Sequence, residues 1–215
     1  MSTQAQDRRS GGRSLLDRLV GVVVTLGAFA KFFFFFVSFA AYSFWFGSWQ
    51  FGLGFALLIL VHELGHVFEA RRQGLHVTLP TFIPFIGAFV MVRQAGLAPW
   101  RSALVSLAGP FVGGLGAAAV WAWGSASDTV WLVVLANIGF LLNAFNLLPI
   151  GILDGGTVFR AISTSRRGWI RYENDVPVKA VPPDSEHANL ITVLYVLLAA
   201  GLVAGMLATR HSGML

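Results

Sequence analysis

The sequence predicts an all-α polytopic membrane protein with about five to six transmembrane helices and an extended or hairpin segment associated with the membrane between the second and third spans. Composition points there first: of 215 residues, 56% are hydrophobic and only 12% are charged, and mean hydropathy is +0.71. Segmentation points the same way, because five apolar stretches approach the roughly 20 residues that cross a bilayer. The bases are the third observation. Arg8, Arg9, Arg13, Arg18, Arg71, Arg72, Arg93, Arg101, Arg160, Arg166, Arg167, Arg171 and Lys179 fall on one side of a five-span arrangement, thirteen of the 15 Lys and Arg. Only Arg210 falls opposite, with Lys31 at a boundary, so that side is expected to be cytoplasmic and to carry the N-terminus.

The expected spans are Lys31 to Trp49, Phe51 to Ala70, Ser102 to Trp123, Val130 to Leu148 and Leu190 to Ala208. Leu15 to Ala30 is short and carries Asp17 and Arg18, so it either lies in the interface or lengthens the first span. The polar, basic residues before it read as a retained tail, since no small-residue cleavage site follows the apolar stretch. Phe32 to Phe36 read as lipid-facing bulk. From Leu75 to Val92 the chain is rich in Val, Thr, Phe and Ile around Pro80, Pro84 and Gly87. Proline disfavours helix at the residue before it, so this stretch is expected to be extended and buried against protein. Gly109 and Gly113 in the third span form a small-xxx-small pair for close helix approach, and Pro110 would kink that helix or open space. The loop Ser163 to His187 is polar and carries Pro177, Pro182 and Pro183, so it is expected outside the membrane without regular structure. A net charge of +5 in short blocks beside apolar runs is a topology signal, which argues against nucleic-acid binding.

The residues that carry chemistry sit in the second span, where His62-Glu63-Leu64-Gly65-His66 spells HExxH. A charged side chain at the centre of a spanning helix costs roughly 2.5–3.5 kcal/mol on insertion scales, so such a cluster defaults to a functional reading. Two histidines four apart differ by about 40° around the helix and can share one metal ion, with Glu63 close enough to activate water. A transporter helix using His and Glu as a proton relay is the main alternative. With no cysteine in the chain, a zinc ion needs His and carboxylate ligands. Glu69 shares the histidine face, but seven residues from His62 is about 10.5 Å along the axis; it is expected to pair with Arg72 instead. Asp154 ends Asn146-Leu147-Leu148-Pro149-Ile150-Gly151-Ile152-Leu153-Asp154-Gly155-Gly156, where Pro149 and the glycines can break the helix and turn a carboxylate back. The alternative is that Asp154 caps a short helix at Thr157 to Ile162.

These two motifs together resemble the site-2 protease family of intramembrane zinc metalloproteases. His62 to His66 fits its HExxH in a spanning helix, and Asn146 to Gly155 fits its second motif, NxxPxxxLDG, at every specified position. The resemblance covers roughly Phe51 to Gly156. It implies one Zn2+ held by His62, His66 and Asp154, Glu63 as catalytic base, and Asn146 positioning substrate or stabilising the oxyanion. Asn146 has a plainer reading as a helix-packing hydrogen bond, and Asn137 and Asn143 are expected to play that part. Substrate contacts are expected from Val77, Phe85, Gly87, Ala88 and Phe89 along with Asn146.

The chain has no room for an inserted PDZ or CBS domain, unlike larger members. The implied partners are the lipid bilayer and a membrane-protein substrate with a transmembrane segment, in a multi-pass protein of a bacterial plasma membrane whose active site opens to the cytoplasm. An inactive membrane-binding homologue is the other alternative, and retention of Glu63, both histidines and Asp154 argues against it. The expected organisation is a basic tail and uncertain helix over residues 1–30 and a single membrane domain over 31–215. Within that domain lie a catalytic core at 51–160, the polar loop at 163–187 and the C-terminal span at 190–208.

Overall fold

The computed structural model describes residues 26–27, 29–84, 87–90, 97–173 and 176–211. The expectation for Leu15 to Ala30 falls almost wholly outside the described residues. Among the described residues, four helices are long and apolar enough to cross a membrane: α1 (Phe29–Phe46), α2 (Trp49–Arg72), α3 (Pro99–Ala126) and α6 (Ser185–His211). A shorter apolar helix, α4 (Val130–Asn146), takes the place of the expected fourth span, and the chain is a multi-pass membrane protein. The remaining elements are a hairpin of β1 (Thr81–Ile83) and β2 (Gly87–Phe89), a helix α5 (Asp154–Arg167), and a hairpin of β3 (Trp169–Glu173) and β4 (Val176–Val181).

Helix α2 carries HExxH, and both of its ends are chemically specified. The Ser48 hydroxyl accepts from the Phe51 amide at 3.3 Å, which satisfies one orphan donor. At the other end Gly74 adopts φ +75°, and the amides of Leu75 and Gly74 donate back to the carbonyls of Ala70 and Arg71 at 2.9 Å each. This is a Schellman end, and its usual apolar contact is present because Leu75 packs with Ala70 and Val105 in one buried cluster. Glu69 pairs with Arg72 at 2.6 and 2.8 Å and accepts from Gln73 at 2.7 Å. Gln73 in turn bonds Arg101 at the start of α3, so the exit of α2 is tied to the entry of α3.

Helix α3 is central and packs against α2, α4, α5 and α6. Its main cluster joins Ala103, Leu107 and Ala117 to Phe140 and Leu147, to Val158 and Ala161 of α5, and to Ile191 and Leu202 of α6. A second cluster joins Tyr42 of α1, Ala56 and Ile59 of α2 and Phe82 of β1. The phenylalanine run behaves as its position dictates: Phe32, Phe33, Phe34 and Phe36 are exposed on the surface of the protein, while Phe35 meets Phe82 edge-on at 5.1 Å.

One region differs from expectation. Ser163 to His187 is regular rather than irregular: α5 runs on to Arg167, β3 and β4 pair antiparallel with Trp169 opposite Val181, and α6 begins at Ser185. The reason is local, because Trp169-Ile170 and Val176 to Val181 favour strand through their branched and aromatic side chains, while the prolines sit in the edge strand β4 and after it. The extended or hairpin segment expected between the second and third spans is present as the β1–β2 hairpin, with Phe82 opposite Ala88.

Close helix contact is sharpest at glycines. A Cβ built on Gly139 of α4 would lie 3.0 Å from both the Ala117 Cβ and Leu58 Cδ1, whereas one on Gly201 of α6 meets nothing within 4 Å. Gly139→Leu is therefore expected to lower stability in detergent by about 1–3 kcal/mol, and Gly201→Leu to change it by less than about 0.5 kcal/mol. Thermal unfolding of the two variants side by side checks the difference.

Candidate metal centre

The HExxH histidines lie one turn apart on α2, with ring centroids 4.8 Å apart. Their Nε2 atoms face each other at 3.1 Å. The carboxylate of Asp154 comes from a different helix to complete a triangle, its Oδ2 lying 3.2 Å from His62 Nε2 and 3.4 Å from His66 Nε2. Glu63 is buried, and a carboxylate oxygen of it lies with the two histidine donors in a group whose atoms are all within 4.8 Å of one another. Two carboxylates thus approach the same pair of rings.

Asp154 reaches this point because of how α4 ends. Pro149 stands two residues beyond the cap residue Leu147, where it stops helix from continuing. The chain then turns through Ile150 to Leu153 and restarts as α5 with Asp154 as its first residue. The cap position belongs to Leu153, which makes no side-chain cap bond, so Asp154 is not the cap that the alternative reading envisaged. Gly155 and Gly156 permit this fold-back, since a Cβ at either would collide with the backbone carbonyls of Leu147 or Ile150.

The donor set fits a metal ion. Each histidine Nδ1 already faces an oxygen, that of His62 the amide oxygen of Asn143 at 2.8 Å and that of His66 the carbonyl of Val105 at 2.8 Å. An Nδ1–H donated to each leaves both Nε2 atoms as lone pairs pointing at one another, which is repulsive unless a cation lies between them. Tetrahedral zinc with ligand bonds of roughly 2.0–2.1 Å sets its ligand atoms about 3.3–3.4 Å apart. The observed edges of 3.1, 3.2 and 3.4 Å lie within about 0.3 Å of that spacing.

Asn146 donates to the Leu142 carbonyl at 3.1 Å, a bond within its own helix, and also lines a cleft of about 480 Å³ beside His62 and Glu63. Gly87 and Ala88 of β2 form part of that cleft, together with Tyr42, Ile59 and Phe145. Val77 lies elsewhere, packed against the cluster of Ala70, Leu75 and Val105. Phe89 is exposed and is not among the cleft residues; Phe85 falls outside the described residues. Another groove of about 370 Å³ runs between α3, α4 and α6, but side chains such as Phe111, Phe140 and Leu197 line it and none of its residues is ionisable.

Four residues outside the sequence motifs contribute to the centre. Asn143 makes the interhelical hydrogen bond expected of it, and its partner is His62. The Val105 carbonyl carries no sequence signal at all. Gly109 and Gly113 were read as packing residues, and their packing turns out to be against the centre itself: a Cβ on Gly109 would overlap the His66 ring, and one on Gly113 the Asn143 amide. The available signal was two four-residue spacings, His62/His66 and Gly109/Gly113, on helices that cross.

Fold and site together define a membrane-embedded protein with a two-histidine, one-carboxylate centre, and comparison with known proteins agrees. Peptidase family M50 matches residues 50–129 and 122–178, and the chain belongs to that family, the site-2 protease family. The protein named Putative zinc metalloprotease Rip3, of Mycobacterium tuberculosis, is 33% identical over 132 residues, covering 56% of this chain and 33% of that protein. Zinc metalloprotease MJ0392, of Methanocaldococcus jannaschii, is 25% identical over 150 residues, covering 67% of this chain and 42% of that protein. Putative zinc metalloprotease sll0528, of Synechocystis, is 32% identical over 123 residues, covering 53% of this chain and 32% of that protein. The chain thus spans about a third of the length of the first of these relatives. Zinc, the metal in all three names, is the ion whose ligand spacing the centre matches.

Because Gly109 leaves no free space in front of His66, Gly109→Ala is expected to push that ring out of the triangle. Zinc affinity should fall by roughly 10–100-fold, the range seen when the support of a metal ligand is disturbed, with helical content retained. Chelator competition alongside circular dichroism checks this.

Proposed function

We propose that this chain is a zinc metalloprotease that hydrolyses peptide bonds in or near the transmembrane segments of membrane-protein substrates, as in regulated intramembrane proteolysis. The observation that carries the reading is the convergence of His62 Nε2, His66 Nε2 and Asp154 Oδ2 within 3.4 Å of one another, beside a largely apolar cleft that His62, Glu63 and Asn146 help to line. In this reading His62, His66 and Asp154 hold one Zn2+. A zinc ion there supplies Lewis acidity toward water and the scissile carbonyl.

The chain's own residues do the rest. Glu63 accepts the proton of the attacking water and delivers it to the departing amine. Asn146 has one amide hydrogen engaged with Leu142 and a second free to donate to the developing oxyanion, without placing another charge at membrane depth. A substrate helix has its backbone amides internally bonded and must unwind to present a peptide bond. Gly87 and Ala88 of the two-stranded β1–β2 sheet line the cleft, so an unwound segment entering there would run beside a strand edge and could add to it as a further strand. His66 and His62 lie five and nine residues from Arg71, which sets the centre roughly 7–14 Å along the α2 axis from the basic end. With the bases cytoplasmic, the site opens to the cytoplasm of a bacterial cell.

Glu63→Gln is expected to keep zinc at full occupancy while cleavage of a membrane substrate by the purified protein falls to background. Asp154→Ala is expected to lower zinc content, because one of three protein ligands is gone. Metal analysis with a cleavage assay on the same preparations decides, and turnover retained by Glu63→Gln would overturn the mechanism.

Orientation is checked with single cysteines, since the chain has none of its own. Arg166→Cys should react with an impermeant thiol reagent only from the cytoplasmic side, and Ser127→Cys only from the opposite side; the reverse pattern would move the site to the outer face.

A further inference from the structure

Asn143 is fully buried, carries no charge and lies on α4, three residues before Asn146. A buried primary amide at membrane depth is costly unless both ends are satisfied. Both ends are satisfied here, and in only one orientation. Asn143 Nδ2 lies 2.7 Å from the Gly139 carbonyl, and a carbonyl can only accept, so the amide nitrogen must point there. The amide oxygen then faces His62 Nδ1 at 2.8 Å. An amide oxygen can only accept, so Nδ1 of His62 must donate. The proton is thereby held at Nδ1, and Nε2 is left as the lone pair that faces His66 and Asp154.

The arrangement is supported from a third helix. Gly113 of α3 faces the Asn143 amide so closely that a Cβ there would overlap Oδ1. His66 obtains the same tautomer from a main-chain carbonyl, that of Val105; His62 depends on a side chain for it. Loss of Asn143 would free His62 to rotate and to place its proton on either nitrogen, so that part of the population presents N–H rather than a lone pair to the metal.

We propose that Asn143 is a positioning residue for the metal centre, fixing the tautomer and ring orientation of His62 through a hydrogen bond that Gly139 orients and Gly113 makes room for. The inference rests on the zinc reading above and concerns how one ligand is prepared for it.

The test is zinc affinity of the full chain in detergent, by chelator competition, for the wild type, Asn143→Leu and Asn143→Asp. Leu fills similar volume without an acceptor and is expected to weaken zinc binding by roughly 10–100-fold. Asp in its neutral form keeps both contacts, one oxygen accepting from Nδ1 and the protonated oxygen donating to the Gly139 carbonyl, and is expected to recover most of that loss. The zinc-free protein adds a readout independent of metal, because ¹⁵N spectra of labelled histidine distinguish the tautomers. The His62 signal, assigned by its absence in His62→Gln, should show a protonated Nδ1 in the wild type and a tautomer mixture in Asn143→Leu.

Unchanged affinity in Asn143→Leu would overturn the proposal, as would equal losses in Leu and Asp, which would mark a packing role only. Should Asn143→Leu fail to fold, Gly113→Ala perturbs the same amide from α3 and is expected to weaken zinc binding, with unchanged affinity again overturning the proposal. A wild type that binds no zinc would instead sink the metalloprotease reading, so the two failures are distinguishable.

Discussion

Two imidazoles and two carboxylates packed into an apolar helix bundle must each find a partner, because water is scarce there and an isolated charge costs several kcal/mol. The architecture around α2 can be understood as the set of contacts that meets this demand. His62 is answered by α4, His66 by α3, and the gap between their Nε2 atoms by Asp154 at the start of α5. A centre with ligands from one helix alone would have left ring nitrogens unsatisfied. Recruiting three further helices turns a local motif into a constraint on the bundle.

That constraint explains the position of α3. A Cβ on Gly65 of α2 would run into the Ala108 carbonyl, and one on Gly109 of α3 into His66, so the helices approach until backbone meets backbone. Small residues serve this purpose widely in membranes, where burying apolar area drives association little and close packing must do more. Here the same closeness brings the Val105 carbonyl to His66. Packing and site assembly are one event at this crossing. Pro110, one residue on, is fully buried and supplies no amide to the Ser106 carbonyl, a weakness in the ladder at the level of the centre.

The second consequence concerns access. The carboxylate of Asp154 is 17% exposed while the His62 side chain is 5% exposed, so the triangle is open on the Asp154 side and closed toward α3. The cleft meets the centre at His62 and Glu63, between α2, α4 and the β1–β2 hairpin, with Leu153 next to Asp154 in its wall. The cleft walls are largely apolar, with Tyr42, His62, Glu63 and Asn146 as the polar side chains among them. In the proposed reading, an open position next to His62, His66 and Asp154 would mark the site as catalytic rather than structural.

The sequence alone determined the features that are local in the chain. Hydropathy and the bases marked the spans, HExxH placed two ring nitrogens on one helix face because a four-residue step returns to it, and Pro149 with the following glycines marked where helix would break to free Asp154. Glu69 was separable from the centre by rise per residue, and the structure pairs it with Arg72 as that distance implies. Tertiary structure decided what depends on distances across helices. Asn143 and Asn146 are both asparagines on α4, and only the rotation of that helix shows that one meets His62 and the other borders the cleft. The Val105 carbonyl is a backbone atom, so no residue type announces it. The loop at 163–187 misled because its prolines and charges outweighed a weak strand pattern that becomes visible only when β3 and β4 pair. Backbone geometry is legible in a sequence where residues are neighbours along the chain; a metal centre assembled from α2, α3, α4 and α5 needs the packing that brings those helices together.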